Sequence, residues 1–303
     1  MSDTHIQTIA VTGASGLIGS HLCAALRTAG HHVLRFVRGD AAGDDEIAWN
    51  PLTGRIDVAR LDGADAIVNL AGESVAGGRW TTQRKAAIRD SRIRGTSLLC
   101  ESITRLRKRP RVLLSASAVG YFGPRGDDAL TEDAPPGGDF LARVCSEWEQ
   151  AAAAAEQAGV RVVCPRIGVV LSRRGGALAK MLPAFRLGLG GVIGDGRQVL
   201  SWITLTDLVR VIEFALVNDD LRGSLNAVAG ATTNREFTHS LGRALGRPTL
   251  LPLPSWVVGL VFGEMGRAVL LEGQRVVPAK LRSAGFEFLH GDLDSAFREA
   301  LRE

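Results

Sequence analysis

The chain has few of the residues that build cross-linked or metal-bound proteins. Its 303 residues contain only four cysteines, Cys23, Cys100, Cys145 and Cys164. Their wide spacing indicates neither a disulfide framework nor a zinc site, and it suits a reducing compartment. The six histidines contain no pair at metal-ligand spacing except the adjacent His31 and His32, which lie in a predicted turn. We therefore predict no bound metal.

Long hydrophobic runs are also missing. The apolar run at 250–262 contains Pro252 and Pro254 and is soon followed by Glu264, so it is too short to cross a bilayer. The beginning of the sequence shows no cationic segment followed by an apolar one, which argues against export. The formal net charge is only +4, and the arginines are dispersed. We expect a cytoplasmic protein that has neither a membrane nor a nucleic acid as its partner.

What the chain does have is a large apolar content and a regular alternation of elements. Hydrophobic residues make up 46% and charged residues 22%, which is enough for a large core in one extended domain or two unequal lobes. Strand patterns at 6–11, 33–37, 65–72, 111–115 and 160–164 alternate with helix patterns at 17–29, 82–106 and 139–158. This order predicts an α/β fold of the Rossmann type, a doubly wound parallel sheet with a smaller C-terminal lobe on the substrate side.

The first predicted strand leads into a glycine-rich turn. Thr12 is followed by Gly13, Gly16 and Gly19, and a helix pattern begins at Leu17. Gly13 can take the positive φ of the turn, Gly16 leaves room for a pyrophosphate, and Gly19 lets the helix pack close to the sheet. Amide groups and the dipole at the helix start attract anions. The predicted dinucleotide cradle consists of Gly13, Ser15, Gly16, Leu17, Ile18 and Gly19. A tight turn that binds no ligand is the alternative.

The end of the second predicted strand bears on the choice of nucleotide. An acidic residue here would bind the ribose of NAD, whereas an arginine can bind the 2′-phosphate of NADP. Arg38 stands where the strand gives way to Gly39, and its guanidinium can hold phosphate oxygens in bidentate fashion. Asp40 favours the opposite choice, and a solvated surface charge is the alternative role of Arg38. We predict that the cofactor is NADP.

Three further motifs follow later strands. They are Asn69-Leu-Ala-Gly72, Ser115-Ala-Ser117 and Pro165-Arg-Ile-Gly168. Together with the glycine turn they resemble the extended short-chain dehydrogenase/reductase superfamily, in its nucleotide-sugar epimerase branch, over nearly the whole chain. In that superfamily these motifs lie beside the adenosine, at the end of the active-site strand and under the nicotinamide. The resemblance implies cofactor contacts at Leu70, Ala71, Gly72, Ser115 and Pro165.

A narrower combination of motifs identifies a subgroup. Its segments are 79–81, 91–92, 115–123 and 165–171. They resemble the subgroup called "epimerase family protein", a name that identifies no substrate. The resemblance implies an NADP-binding domain at 1–250, with its nucleotide-binding core at about 1–165. It also implies a family-specific C-terminal region at about 253–301 that forms part of the substrate lobe.

The catalytic pair of the superfamily is missing. That pair, Tyr-x-x-x-Lys, supplies a phenol whose pKa is lowered by the neighbouring ammonium. When the helix is aligned on Glu149, Leu141 stands at the tyrosine position and Cys145 at the lysine position. The only tyrosine is Tyr121, and Arg125 follows it four residues later within a Pro- and Gly-containing loop. Because a helix is not expected there, these two side chains need not share a face.

Three interpretations of this loss stay open. In the first, an enzyme uses a relocated acid, with Ser117 and Tyr121 on the active-site loop and Arg92 as electrostatic support. In the second, the chain is a non-catalytic NADP(H) sensor or scaffold linked to cell division, as distant plastid relatives imply. In the third, Ser117 and Tyr121 are structural. We expect redox or epimerase-type chemistry on a small polar substrate that the sequence does not identify. Related proteins often pair through the two long helices, so a homodimer is the alternative to a monomer.

Overall fold

The computed structural model describes residues 7–302, so Ile6 of the first predicted strand lies outside the described residues. The strands are β1 Thr8–Thr12, β2 His32–Arg38, β3 Glu46–Asn50, β4 Arg55–Ile56, β5 Ala66–Asn69, β6 Val112–Ser115, β7 Ser117–Ala118, β8 Ala129–Leu130, β9 Arg161–Ile167, β10 Val169–Leu171, β11 Val199–Thr204, β12 Gly223–Ala227, β13 Gly230–Thr233 and β14 Arg275–Val276. The helices are α1 Leu17–Thr28, α2 Val58–Leu61, α3 Thr82–Thr104, α4 Phe140–Ala153, α5 Gly176–Arg186, α6 Leu205–Val217, α7 Asn234–Leu245, α8 Ser255–Gly266, α9 Ala279–Ser283 and α10 Leu293–Arg302.

The main sheet confirms the predicted doubly wound α/β fold. Its strand order is β12-β9-β6-β5-β1-β2-β3-β4, with β7 paired to β9. Every pairing in it is parallel except that of β3 with β4. From β1 the chain first adds strands on one side and then, with β5, on the other. A ligand crevice therefore opens between the carboxyl ends of β1 and β5.

Helices cover both faces of this sheet, which explains the nearly continuous apolar sequence of its central strands. On one face, Leu22 and Leu26 of α1 join Ile9 and Val11 in the larger core cluster. On the other face, Leu99 and Ile103 of α3 pack with residues such as Ile67. Packing on both faces holds the strands in position, and with them the strand ends on which the candidate site lies.

Local signals set several helix boundaries. Thr81 caps α3 by accepting a hydrogen bond from the Arg84 N–H. Thr233 and Glu236 form the predicted capping box of α7. The long helix predicted at 139–158 is α-helical only to Ala153 and ends in a 3₁₀ turn at Ala154–Ala158. Gly159 stops it in the left-handed region, with φ 77°.

The later part of the chain builds a second layer beside the main sheet. Strands β10, β11 and β13 form a small sheet, and β14 pairs with β8. Trp202 of β11 is 2% exposed and packs in the larger core cluster. The apolar run at 250–262 enters α8, and no helix within residues 7–302 is both long and apolar enough to cross a bilayer.

Candidate cofactor and substrate site

The glycine turn is sterically confined to glycine at two of its three positions. Gly13 has φ 64°, and a Cβ there would lie 2.9 Å from the backbone carbonyl of Leu70. A Cβ on Gly19 would lie 2.2 Å from the Gly13 carbonyl oxygen. At Gly16 a Cβ would lie 3.2 Å from the same carbonyl oxygen, a tight contact, but no second atom comes within 4 Å. The turn thus brings β1, α1 and the end of β5 into contact, as a dinucleotide cradle requires.

The start of α1 is prepared for an anion. Its N-cap is Gly16, which brings no side-chain cap, and the first turn contains no acidic residue. The first N–H groups of a helix have no intrahelical partner, and the dipole adds partial positive charge. Leu17 and Ile18 are half-buried and have apolar side chains. They can therefore bind a phosphate only through their backbone N–H groups.

A groove of about 510 Å³ runs from this helix start to the end of β2. Seven of the predicted cofactor residues line it: Gly13, Ser15, Gly16, Arg38, Leu70, Ala71 and Gly72. Gly19 does not line the groove, because it forms the packed side of the turn. Predicted cofactor residues from three distant segments therefore share one surface.

The charges at the end of β2 leave Arg38 for a ligand. Arg35 is bound to Asp45 and Glu46 at N–O distances of 3.1 and 3.0 Å. Asp40, which had favoured NAD, forms an ion pair with Arg55 at 2.9 Å. Arg38 is exposed, and no carboxylate within residues 7–302 forms an ion pair with it. A 2′-phosphate in the groove would meet this guanidinium.

Trp49 is a groove residue that the sequence did not single out. It lies on β3, is 3% exposed and packs edge-on against Phe36, with ring centroids 5.3 Å apart. In the parallel pairing of β2 and β3, Trp49 lies opposite Arg38. It is therefore at the adenosine end of the groove. Trp49 could be recognised as a groove residue only from the order of strands in the sheet. A local sequence pattern does not reveal that order.

A buried polar network holds the strand ends under the crevice. Thr12 donates its hydroxyl to Asn69 at 2.7 Å and accepts from the Leu70 and Ala71 N–H groups. Asn69 donates in turn to Thr96 and to Ser115, at 2.8 and 3.1 Å. Ser115 is fully buried, so its hydroxyl fixes the crevice from below. Buried and mutually satisfied polar groups of this kind rigidify a site.

Pro165, the remaining predicted cofactor residue, lies within β9 and is buried. It pairs in register with Leu225 of β12. Gly175, on the loop after β10, would place a Cβ 3.3 Å from Leu17. The segment that follows Pro165 therefore comes back to the start of α1, on the far side of the crevice from Arg38.

The three predicted catalytic residues are held by different partners. Ser117 is 3% exposed and donates to Glu149 Oε1 at 2.6 Å. The same carboxylate forms a bidentate ion pair with Arg166, with both N–O distances at 2.9 Å. The guanidinium carbon of Arg166 lies 3.4 Å from the ring centroid of Tyr121. Tyr121 lies in a short 3₁₀ turn at Val119–Phe122.

Arg92 is directed to backbone and an aromatic ring. Its Nη1 donates to the carbonyls of Glu73 and Ile88 at 3.0 and 2.9 Å, and its guanidinium carbon lies 5.1 Å from the Trp148 ring centroid. Burial lowers the pKa of this guanidinium. The structure thus brings Ser117 and Tyr121 to one ion pair, while Arg92 lies on the other side of Cys145.

The two positions of the missing pair pack against Gly120. A Cβ on Gly120 would lie 3.4 Å from Leu141 Cβ and 4.0 Å from Cys145 Sγ. Cys145 is buried, and burial, with a smaller effect of Glu149, raises the pKa of its thiol to about 12. A protonated, buried thiol supplies neither the charge nor the reach of an ammonium. All four cysteines are free and buried.

A second cavity of about 150 Å³ lies past the carboxyl ends of β7 and β9, where Val119 and Val169 line it. Its walls come from the Val119–Gly120 turn, from Leu141, and from the 272–274 segment far along the chain. Ser117, Tyr121 and Arg92 are not among the described residues that line it. Within residues 7–302, no group of three or more His, Cys, Asp or Glu side chains is arranged to hold a metal ion.

Comparisons with known proteins match both parts of the chain. The model of the NAD dependent epimerase/dehydratase family matches residues 9–227, and that of a domain of unknown function matches residues 253–300. An epimerase family protein of Mycobacterium tuberculosis is 46% identical over 289 residues, which are 95% of each chain. The crystal structure of human epimerase family protein SDR39U1 with NADPH is 36% identical, with a TM-score of 0.89 over 98% of this chain and 99% of that one. The structure of a nucleoside-diphosphate sugar epimerase from Corynebacterium glutamicum is also 36% identical, with a TM-score of 0.80 over 98% of this chain and 58% of that one.

Proposed function

This chain belongs to the NAD dependent epimerase/dehydratase family, as its motifs predicted, and we propose that it is an NADP(H)-dependent enzyme. Its reaction is redox or epimerase-type chemistry on a small polar substrate. The crystal structure of the human relative with NADPH supports the choice of nucleotide. Some similar solved structures contain a sugar nucleotide, but they are less than 25% identical to this chain. Their similarity therefore shows the fold alone.

The observation that carries the proposal is the pairing of an anion cradle with an available arginine. The α1 start receives the pyrophosphate, and Arg38, 22 positions after Gly16 in sequence, lies on the same groove. Asp40 forms an ion pair with Arg55, and this positive charge weakens the repulsion between Asp40 and a 2′-phosphate. The groove therefore fits the phosphorylated nucleotide better than NAD.

When bound, a nicotinamide cofactor supplies or accepts a hydride beside the 150 Å³ cavity. The chain's own residues orient the reacting groups. Ser117 can accept a hydrogen bond while it donates to Glu149, and Arg166 keeps that carboxylate and the Tyr121 ring in place. Arg92 holds the loop after β5 by its carbonyls. We propose these residues as the supports of the nicotinamide end.

The remaining parts of the proposal concern compartment and assembly. The free, buried cysteines suit a cytoplasmic protein. We propose a homodimer that pairs through α3 and α4, which pack against each other and are joined by an Arg89–Glu147 ion pair of 2.6 Å. Size-exclusion chromatography with light scattering measures this directly, and a particle of monomer mass contradicts the dimer.

Isothermal titration of NADPH and NADH tests the nucleotide preference. Arg38→Ala should weaken NADPH binding about tenfold and leave NADH unchanged, because an exposed charge-assisted hydrogen bond contributes on the order of 1.4 kcal/mol. The control is Arg105→Ala, since Arg105 is an exposed arginine at the far end of α3. An unchanged NADPH-to-NADH affinity ratio in Arg38→Ala would show that Arg38 is only surface charge. NADPH binding without turnover of any carbonyl or sugar nucleotide would favour the non-catalytic sensor.

A further inference from the structure

The substrate end of the crevice is shaped by the C-terminal region. The cavity beside Gly120 is closed on one side by Leu141 of α4 and on the other by Glu272, Gly273 and Gln274. These three residues precede β14, within the stretch that matches the domain of unknown function. The cofactor half of the crevice lies in the larger family domain. The C-terminal region therefore contributes one wall of this cavity, and the larger family domain contributes the rest.

The cavity is small and mostly apolar. Its volume is about 150 Å³, and its wall includes Val119, Leu141, Val169 and Val199. A cavity of about this volume in another protein holds a single benzene ring. Of a nucleoside diphosphate sugar, one sugar ring would fill this volume, and the diphosphate and the base would have to lie outside it.

The charges around the cavity also disfavour a diphosphate. No lysine or arginine is among the described residues that line it. Arg125 on the adjoining loop donates to the carbonyls of Phe122, Pro135 and Pro136. Diphosphates are normally bound by bidentate arginines or by lysines.

Other basic side chains near the crevice are committed in the same way. Arg79 donates to the carbonyls of Leu260 and Val261, and Lys180 donates to the carbonyl of Ala76 at 2.8 Å. These cations hold loops together by their hydrogen bonds to backbone. The lining instead carries two carboxyl groups, Asp139 and Glu272.

Only one polar group of the lining is suited to give up a proton. Ser201 donates to the Gln274 carbonyl at 2.7 Å and accepts from the Val276 N–H at 3.0 Å. Asp139 caps α4 by accepting from the Ala142 N–H at 2.7 Å, a role for the ionised carboxylate. Gln274 has no acidic proton. Glu272 is the group that remains.

The backbone around Glu272 is held in place. A Cβ on Gly273 would lie 2.0 Å from the Val199 carbonyl oxygen, so this glycine permits a close approach to β11. The Gln274 N–H donates to the same carbonyl at 3.2 Å, and the Arg125 N–H donates to the Gly273 carbonyl at 3.2 Å. Glu272 itself is exposed on its outer side, so solvent can restore a proton that it loses.

The electrostatics agree with this role. Burial, and secondly the negative charge of Asp139, raises the pKa of the Glu272 carboxyl. Two neighbouring carboxyl groups in unlike surroundings are the usual arrangement of an acid and its charged partner. Glu272 therefore keeps its proton to a higher pH than an isolated glutamate does, while Asp139 caps α4.

We propose that the substrate is a compact uncharged carbonyl compound, or the matching alcohol, and that Glu272 is the proton donor to its oxygen. This rests on the proposed NADP(H) chemistry. The carbonyl carbon gains a hydride from the reduced nicotinamide, and the π pair of the C=O bond moves to oxygen. That oxygen takes the Glu272 proton. The products are an alcohol, an oxidised nicotinamide and a Glu272 carboxylate, which solvent reprotonates.

The experiment uses the full chain with two one-ring probes, benzaldehyde and cyclohexanone, and with UDP-glucose. NADPH affinity is measured by calorimetry and NADPH consumption by absorbance. The variants are Glu272→Gln, Tyr121→Phe and, as matched control, Glu213→Gln. Glu213 is also a carboxyl whose pKa is raised by burial, but it lies in a hollow beside His31, away from both cavities. A readout without turnover is carboxyl NMR of glutamate-labelled protein, in which the signal lost in Glu272→Gln identifies Glu272.

We expect turnover of a one-ring carbonyl and none of UDP-glucose. Glu272→Gln should lower kcat by roughly 10²- to 10⁴-fold at unchanged NADPH affinity, whereas Glu213→Gln keeps the parent rate. The Glu272 signal should titrate above the usual value of about 4.3 and move down in Asp139→Asn. A parent-like rate in Glu272→Gln, a loss of rate in Tyr121→Phe alone, or preference for UDP-glucose would overturn the proposal. NADPH binding without any turnover also overturns it, whereas absence of NADPH binding refutes the proposed function itself.

Discussion

Gly19→Ala is the sharpest test of the cradle, because the structure assigns this glycine a steric role without contact to the nucleotide. Its Cβ would lie 2.2 Å from the Gly13 carbonyl oxygen and 2.8 Å from the Gly13 carbonyl carbon. Compared with a van der Waals contact of about 3.5 Å, the first separation is about 1.3 Å too short and the second about 0.7 Å. Both neighbours are backbone, so the turn itself has to move.

Two opposing free-energy terms decide the effect on stability. Alanine gains about 1 kcal/mol over glycine inside a helix. Overpacking of a rigid site costs about 1–3 kcal/mol. The expected net change is a loss of up to about 2 kcal/mol in the free energy of unfolding. A moved turn would also lose at least one charge-assisted phosphate hydrogen bond, which corresponds to a roughly 10- to 100-fold weaker NADPH affinity.

The matched control is Gly95→Ala, another buried glycine inside a helix. Its Cβ would lie 3.5 Å from the Trp49 ring, an ordinary contact, so the helix propensity should dominate. We expect it to stabilise the protein by about 0.5–1 kcal/mol and to keep NADPH affinity. Urea denaturation and NADPH calorimetry measure both variants. Gly19→Ala with parent stability and affinity within about twofold would refute the steric assignment of the turn.

Two further predictions concern buried ionisable groups. Glu149→Gln should lower the free energy of unfolding by about 3–5 kcal/mol, because it leaves Arg166, 3% exposed, without its charged partner. In urea denaturation the exposed Glu156→Gln should stay within about 0.5 kcal/mol, and equal effects of the two variants would contradict a buried ion pair. Burial raises the pKa of Cys100 to about 11 and that of Cys145 to about 12, so above about pH 8.5 the unfolded chain releases protons that the folded chain retains. The free energy of unfolding should therefore fall as pH rises from 8.5 to 10.5, by roughly 1.4 kcal/mol per pH unit for each thiol. Cys145→Ala removes one of these thiols, so it should make the slope smaller by that thiol's contribution. An unchanged slope in this variant would contradict the prediction.

The parts of the fold that could be predicted from the sequence are those with local causes. The helix start at Leu17 follows a glycine turn, and the capping box of Thr233 and Glu236 is complete within four residues. Core strands such as β5 are apolar because both faces of the sheet are covered. In each case the residues that decide the structure are neighbours in sequence.

The substrate end was not predictable in the same way. Gln274 donates to the Val119 carbonyl at 2.9 Å across more than 150 residues. The strand that follows it, β14, has two residues, which is too short for a periodic pattern. A Cβ on Gly191 would lie 1.7 Å from the Leu251 carbonyl oxygen. That glycine allows tight packing between distant segments, a cause that one local pattern does not contain.

The absence of the tyrosine and lysine pair and the composition of the substrate cavity have a common physical basis. A phenol with a lowered pKa needs a cation beside it, and Cys145 places a buried neutral thiol at that position. Leu141 then becomes apolar wall, which removes the proton donor from α4. Partial burial, and secondly the charge of Asp139, raises the pKa of the Glu272 carboxyl without a cation beside it, so the proposed donor lies on the opposite wall. If Glu272 is the donor, the C-terminal region supplies the proton and one wall of the cavity, while residues of the larger domain such as Leu141 form the rest.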